Sequence, residues 1–151
     1  MKKIIFTKQG LEDLKKKTEA LVNQRPLDVL ELKKAREMGD LSENGYYKAA
    51  KFKLIDTDRA IRKNNYLIKN ALVSIPMGID FVDIGNKVFV EIEGQQKEYV
   101  LVGEYEADPK LGKISYLSPV GGMLMNKKVG DEVVVNIATG KKVYKIIKIS
   151  I

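Results

Sequence analysis

Residues 36–50 read REMGDLSENGYYKAA, and this stretch lies between two long helical patterns. Gly39 is a helix breaker, and Asp40 and Glu43 follow it three residues apart, with Ser42 and Asn44 beside them. Upstream, Leu11, Leu14, Thr18, Leu21, Arg25, Asp28, Leu32 and Ala35 step by alternating threes and fours between Gln9 and Glu37. They form a heptad seam with three polar members. Downstream, from Tyr46 to about Val73, the same stepping recurs through Ala50, Leu54, Thr57, Ile61, Asn64, Ile68 and Ala71, with no glycine or proline between. Two such stripes joined by a short Gly-containing loop predict an antiparallel helical hairpin.

With the turn near Leu41, Leu14 faces Ile68, Leu21 faces Ile61, Leu32 faces Ala50, and Thr18 meets Asn64. Each arm of roughly 28 residues would extend about 40 Å at about 1.5 Å per residue. Pro26 is expected to kink the first arm or break one turn. Arg25 and Asp28 occupy seam positions in the same region, which predicts loose packing there.

The pattern changes at Ser74–Asp83, where Pro76, Gly78 and, just beyond, Gly85 act as breakers. Alternation with β-branched residues follows in KVFVEIEG, KEYVLVGE, KISYLS, EVVVNIATG and KVYKIIKISI. Ala138-Thr139-Gly140-Lys141 reads as a hairpin turn, and a short helix is expected near Pro119–Lys128. The organisation is therefore α+β, with a coiled-coil hairpin over residues 1–76 and a small antiparallel sheet domain over 77–151.

Composition narrows the chemistry. Cysteine is absent, which excludes disulfides and thiolate metal sites and makes a reducing cytosol the expected compartment. Histidine is absent too, removing the commonest general base and zinc ligand. The apolar run in MKKIIFTKQG is too short for a signal-peptide core, and no run approaches membrane-spanning length. The expectation is a cytoplasmic protein with no membrane partner. Of the net charge of +7, all lies in residues 1–75, with 17 Lys and Arg against 10 Asp and Glu; the remainder is balanced. A basic half beside a neutral one suits nucleic acid or an acidic protein surface, although a lysine-rich solvated helix face would read the same way.

Local physics accounts for the tip carboxylates in two ways. Asp40 with Glu43 resembles a capping box, or Ser42 caps the second helix and Glu43 sits in its first turn. Two carboxylates on one side of a tight turn also suit a shared Mg²⁺, which prefers hard oxygen ligands. Two ligands make only part of such a site, so the pair is poorly equipped to be an enzyme alone and well suited to complete another enzyme's site. Arg36, Lys48, Lys51 and Lys53 lie close enough to hold an anionic strand nearby. Tyr47 is expected to pack on the hairpin, while Tyr46 suits either packing or stacking on a base.

The segment AREMGDLSENGYYKAAK resembles the tip signature of the Gre transcript-cleavage factors, the GreA type most closely. YVLVGEYEADPKLGKISYLSPVGGMLMNKKVGDEVVV resembles that family's C-terminal domain, so the likeness spans essentially the whole chain. It implies an FKBP-like C-terminal domain that binds bacterial RNA polymerase and a coiled coil that enters the secondary channel. There Asp40 and Glu43 would help hold a Mg²⁺ shared with polymerase, none being bound stably by the free protein. The nascent RNA 3′ end of a backtracked complex would be cleaved, by an accessory factor with no nuclease activity of its own.

The resemblance further implies a basic RNA-contacting patch of Arg36, Lys51 and Lys53. Ser42 and Asn44 would shape the tip or touch polymerase, and Asp108, Pro109, Ser118 and Pro119 would take part in docking. A monomer is expected when free. Gly45 and Tyr46 stand where the family commonly has Ala and an acidic residue, and Gly121-Gly122-Met123 where a basic residue is common. The alternative is a channel-binding inhibitor that does not stimulate cleavage. A prolyl isomerase has poor material here, with no Trp and only Phe81 and Phe89 as phenylalanines in the second half. A generic basic nucleic-acid binder would leave the acidic tip idle.

Overall fold

The computed structural model describes residues 2–39 and 44–151. Its elements run β1 (Ile4–Phe6), α1 (Lys8–Arg36), α2 (Gly45–Lys69), β2 (Ala71–Val73), β3 (Lys87–Ile92) and β4 (Gln95–Val102). After these come β5 (Lys113–Ser115), α3 (Pro119–Leu124), β6 (Glu132–Ile137) and β7 (Gly140–Ser150). The chain divides into two compact units: Glu12–Asn70, which is the helical hairpin, and Met1–Leu11 together with Ala71–Ile151.

The hairpin starts where Thr7 caps α1, its carbonyl accepting from the Leu11 N–H at 3.0 Å and its hydroxyl from the Gly10 N–H at 3.0 Å. Lys33, Lys34 and Arg36 in the last turn of α1 suit the negative end of the helix dipole. The buried seam is unusual in kind, comprising Thr18, Asp28 and Ala35 from α1 with Ala50, Thr57 and Leu67 from α2. Leucines of both stripes are only half-buried around them.

Three expectations for the hairpin need correction. First, no turn of α1 is broken at Pro26: the helix runs through it from Lys8 to Arg36. Second, the segment around Arg25 and Asp28 is not loosely packed. Arg25 makes a two-pronged ion pair to Asp58, with Nε–Oδ1 at 2.6 Å and Nη2–Oδ2 at 3.3 Å, and Asp28 accepts from the Thr57 hydroxyl at 2.7 Å. Thr18 turns instead to its own helix, donating to the Leu14 carbonyl at 2.7 Å. Third, α2 does not continue to Val73. The Asn70 side chain donates to the Tyr66 carbonyl at 2.8 Å, competing with the helical ladder, and Ala71–Val73 pairs in parallel with Ile4–Phe6.

In the other unit the five strands are ordered β5-β4-β3-β7-β6. The ladders are antiparallel except for β4 with the short edge strand β5, which is parallel. Strands β3 and β4 are joined by Glu93-Gly94, both with positive φ (52° and 78°), the geometry of a tight primed turn that matches strand twist. Strands β6 and β7 are joined through Ala138 and Thr139, with Ile137 opposite Gly140. Alternation places Val88, Val90, Ile92, Val133 and Val135 in the core. Along β7 the buried positions change phase, from Tyr144 and Ile146 to Ile149, because Ile147 is an extra residue where Phe89 faces Lys148 and Val90 faces Ile146. Val82, Leu101 and Leu124 of α3 close the core.

Glu106 binds the start of the chain into this unit. Its Oε2 accepts from the Thr7 N–H at 2.8 Å and the Gly103 N–H at 2.9 Å, and its Oε1 accepts from the Thr7 hydroxyl. The carboxylate thereby satisfies two backbone donors that lie nearly a hundred residues apart in sequence.

Candidate functional site

One side chain ties the start of α2 to the end of α1. Asn44 is the N-cap of α2, its Oδ1 accepting from the Tyr47 N–H at 3.1 Å, and its Nδ2 donates across the hairpin to the Ala35 carbonyl at 3.0 Å. Ala35 is fully buried, and its carbonyl also accepts the Met38 N–H at 3.2 Å, so the end of α1 and the start of α2 share an acceptor. Gly39 follows with φ of 108°. The cap expected at Asp40 or Ser42 is therefore Asn44. Asp40, Ser42 and Glu43 themselves lie outside the described residues.

Around the turn the basic residues take different environments. The Arg36 guanidinium lies 6.0 Å from the centre of the Tyr47 ring, a cation–π arrangement that keeps Tyr47 on the hairpin surface. Tyr46 is 63% exposed, and the hollow beside it is lined by Glu31, Ala49, Ala50 and Lys53. Lys51 is exposed. Lys53 is committed to two carboxylates, with Nζ 3.4 Å from Asp28 Oδ1 and 3.6 Å from Glu31 Oε2. Those partners raise its pKa, the charge of Glu31 most of all and then Asp28.

Asp28 is the site residue whose importance the periodicity did not reveal. Its side chain is 0% exposed, yet it carries three polar partners: Thr57, Lys53 and Gln24 Nε2 at 3.1 Å. Burial pushes its pKa up, but the bonds from Thr57 and Gln24 and the charge of Lys53 outweigh burial and hold the carboxyl below the ordinary aspartate range. Asp58 is lowered as well, chiefly by its hydrogen bond from Arg25. Asp28 and Thr57 both stand on the predicted seam, so the signal was present; the facing pairs expected from the turn did not include theirs.

In the sheet unit, Asp108 caps a single 3₁₀ turn that begins at Pro109, accepting from the Lys110 N–H at 3.2 Å. Ser118 caps α3, accepting from the Gly121 N–H at 3.0 Å and donating to the Ser115 carbonyl at 2.7 Å, with Pro119 at the first helical position. Gly121 is dictated by space, since a Cβ there would come within 2.0 Å of the Ser115 carbonyl oxygen. Local structure thus accounts for each of these four residues and for Gly121. Among the described residues no group of three or more carboxylates or histidines gathers to hold a metal, and no helix is long and apolar enough to cross a membrane.

Comparison with known proteins finds matches to both halves of the chain. Residues 4–73 match the family described as transcription elongation factor, N-terminal, and residues 77–151 match transcription elongation factor, GreA/GreB, C-term. The transcription elongation factor GreA of Nautilia profundicola is 42% identical, over 99% of this chain and 95% of that protein. That of Geobacillus kaustophilus is 38% identical, over 95% and 94%. Among solved structures, GreA factor homolog 1 of Thermus thermophilus is 22% identical with a TM-score of 0.46, covering 99% of both chains. The GreA/GreB factor of Nitrosomonas europaea is 19% identical with a TM-score of 0.43, covering 99% of this chain and 100% of that one. With both halves matched in order, and relatives at this identity over nearly the whole length, the chain belongs to the GreA/GreB family of transcription elongation factors.

Proposed function

We propose that the protein binds bacterial RNA polymerase as a cytoplasmic monomer, passes its hairpin into the secondary channel and stimulates cleavage of the 3′ end of backtracked RNA. The observation that carries this reading is the double role of Asn44, which caps α2 and clips the turn to Ala35. With the cap supplied there, capping of α2 gives no account of carboxylates at positions 40 and 43. Their donor set, two hard anionic oxygens and no nitrogen or sulfur, fits Mg²⁺.

Asp40 and Glu43 would hold that ion jointly with carboxylates of the polymerase and the scissile phosphate. When bound, it lowers the pKa of a coordinated water and offsets charge developing on the phosphate. The chain's own contribution would be placement: two paired helices, tied together where Asn44 meets Ala35, carry both carboxylates to a partner's catalytic chamber. Arg36 and Lys51 supply positive charge for the extruded strand, whereas Lys53 is largely spent on Asp28 and Glu31. Docking on polymerase is assigned to the sheet unit, at Asp108, Pro109, Ser118 and Pro119.

A stalled, backtracked elongation complex carrying 3′-labelled RNA tests the reading. Addition of the protein should produce Mg²⁺-dependent release of short 3′ fragments, while the protein alone leaves free RNA intact. Inhibition of elongation without cleavage would replace this reading with that of a channel-blocking regulator.

A further inference from the structure

Halfway along the hairpin, one buried carboxylate is gripped by a single turn of the facing helix. Asp28 Oδ2 accepts from Thr57, and Oδ1 lies against Lys53, four residues earlier on the same face of α2. Gln24, one turn back on α1, completes the set. The seam residues around it on α2 are Ala50, Leu54 and Ile61, apolar groups whose contacts carry no directional partner. Sliding α2 by one turn would put the carboxylate against Ala49 and Lys53, or against Thr57 and Ile61. Either slip removes one of the two partners and leaves a buried charge short of a donor. The Arg25–Asp58 pair and the Asn44–Ala35 bond also oppose a slip, but Asp28 is the buried charge, the one that cannot turn to water when its partners move.

We infer that Asp28 is a positioning residue: held between Thr57 and Lys53, it fixes the axial register of α1 against α2 and thereby the relative placement of Asp40 and Glu43. Both acidic residues belong to the segment that joins α1 to α2, so the alignment of the helices sets where the two ends of that segment are anchored. The polar layer costs stability compared with an apolar one and returns a unique alignment. The consequence for cleavage rests on the function proposed above; the alignment itself does not.

The chain has no cysteine, so single cysteines at exposed Lys17 and Arg59 can carry spin labels that report the alignment directly. Wild-type protein should give one narrow label separation. Asp28→Leu combined with Thr57→Leu removes the polar layer without orphaning a buried group. It should keep or raise the thermal midpoint and still bind polymerase. Its label distribution should broaden toward a second population displaced by up to one turn, about 5.4 Å. Stimulated cleavage at saturating factor should fall in proportion to the displaced fraction. Thr57→Ser, which keeps the hydroxyl, should restore the single separation, and Thr57→Val, of nearly the same volume, should not. If the double variant fails to fold, the Ser and Val variants decide. A single unchanged separation in the apolar variants overturns the inference, as does a shifted separation with undiminished cleavage. Wild-type protein that does not stimulate cleavage removes the proposed function but leaves the label experiment to decide the register.

Discussion

The two compact units bury different kinds of residue. The sheet unit closes on valine, isoleucine and leucine, with Val82, Val88, Val90, Leu101, Leu124 and Ile146 all at most 2% exposed. Among the described residues the hairpin buries Leu67 but otherwise Thr18, Asp28, Ala35, Ala50, Thr57 and Asn70, small or polar groups that bring little transfer free energy. One unit is built for bulk stability and the other for a defined alignment of two helices. On the proposed function, a hairpin that carries two carboxylates to a partner has more use for register than for hydrophobic area.

The sharpest way to break this contrast is to truncate equivalent volumes in each unit. Ile146→Ala in the sheet core should cost about 2–5 kcal/mol, read as a lower denaturant midpoint. A comparable loss from Leu32→Ala on the hairpin would contradict it, because Leu32 is only half-buried. Next in size is Glu106→Ala, which strands the Thr7 hydroxyl and the N–H groups of Thr7 and Gly103. It should cost about 1–3 kcal/mol and raise amide exchange at Thr7 and through β1.

Acidification should separate the units without mutation. Asp28 and Asp58 have pKa values lowered in the folded hairpin. Their stabilisation is therefore fully present above the unfolded aspartate value of about 3.9 and is lost as pH falls through the lower folded values. Helical signal on heating should weaken as pH drops below about 4, and Asp28→Asn with Asp58→Asn should flatten that dependence. The smallest expected effect is a gain. Gly45 begins α2 with open space where a Cβ would stand, so Gly45→Ala should stabilise the hairpin by about 0.4–1 kcal/mol.

Much of this architecture was legible in the sequence because its periods are clean. The heptad stripes announced both helices, and the alternation in KVFVEIEG and EVVVNIATG announced strands whose inward faces are the observed core. What escaped was set by partners far away in the chain. Ile4–Phe6 and Ala71–Val73 are three residues each and become strands only by pairing with one another. Glu106 looks like any acidic surface residue until Thr7 is placed beside it. At the tip, GDLSEN offered Asp40 and Ser42 as caps, and local propensity gave no reason to look to Asn44; the Ala35 carbonyl across the hairpin supplies that reason. Asp28 read as a site of loose packing because the expected facing pairs did not set Thr57 against it.

The measurement that bears most directly on the account is a Mg²⁺ titration of RNA cleavage in a backtracked elongation complex. It compares wild-type protein with Asp40→Asn and Glu43→Gln, polymerase binding being followed in parallel. The account predicts that both substitutions abolish cleavage or shift it to much higher Mg²⁺ while binding is unchanged. Cleavage by both variants at the wild-type Mg²⁺ requirement would contradict it.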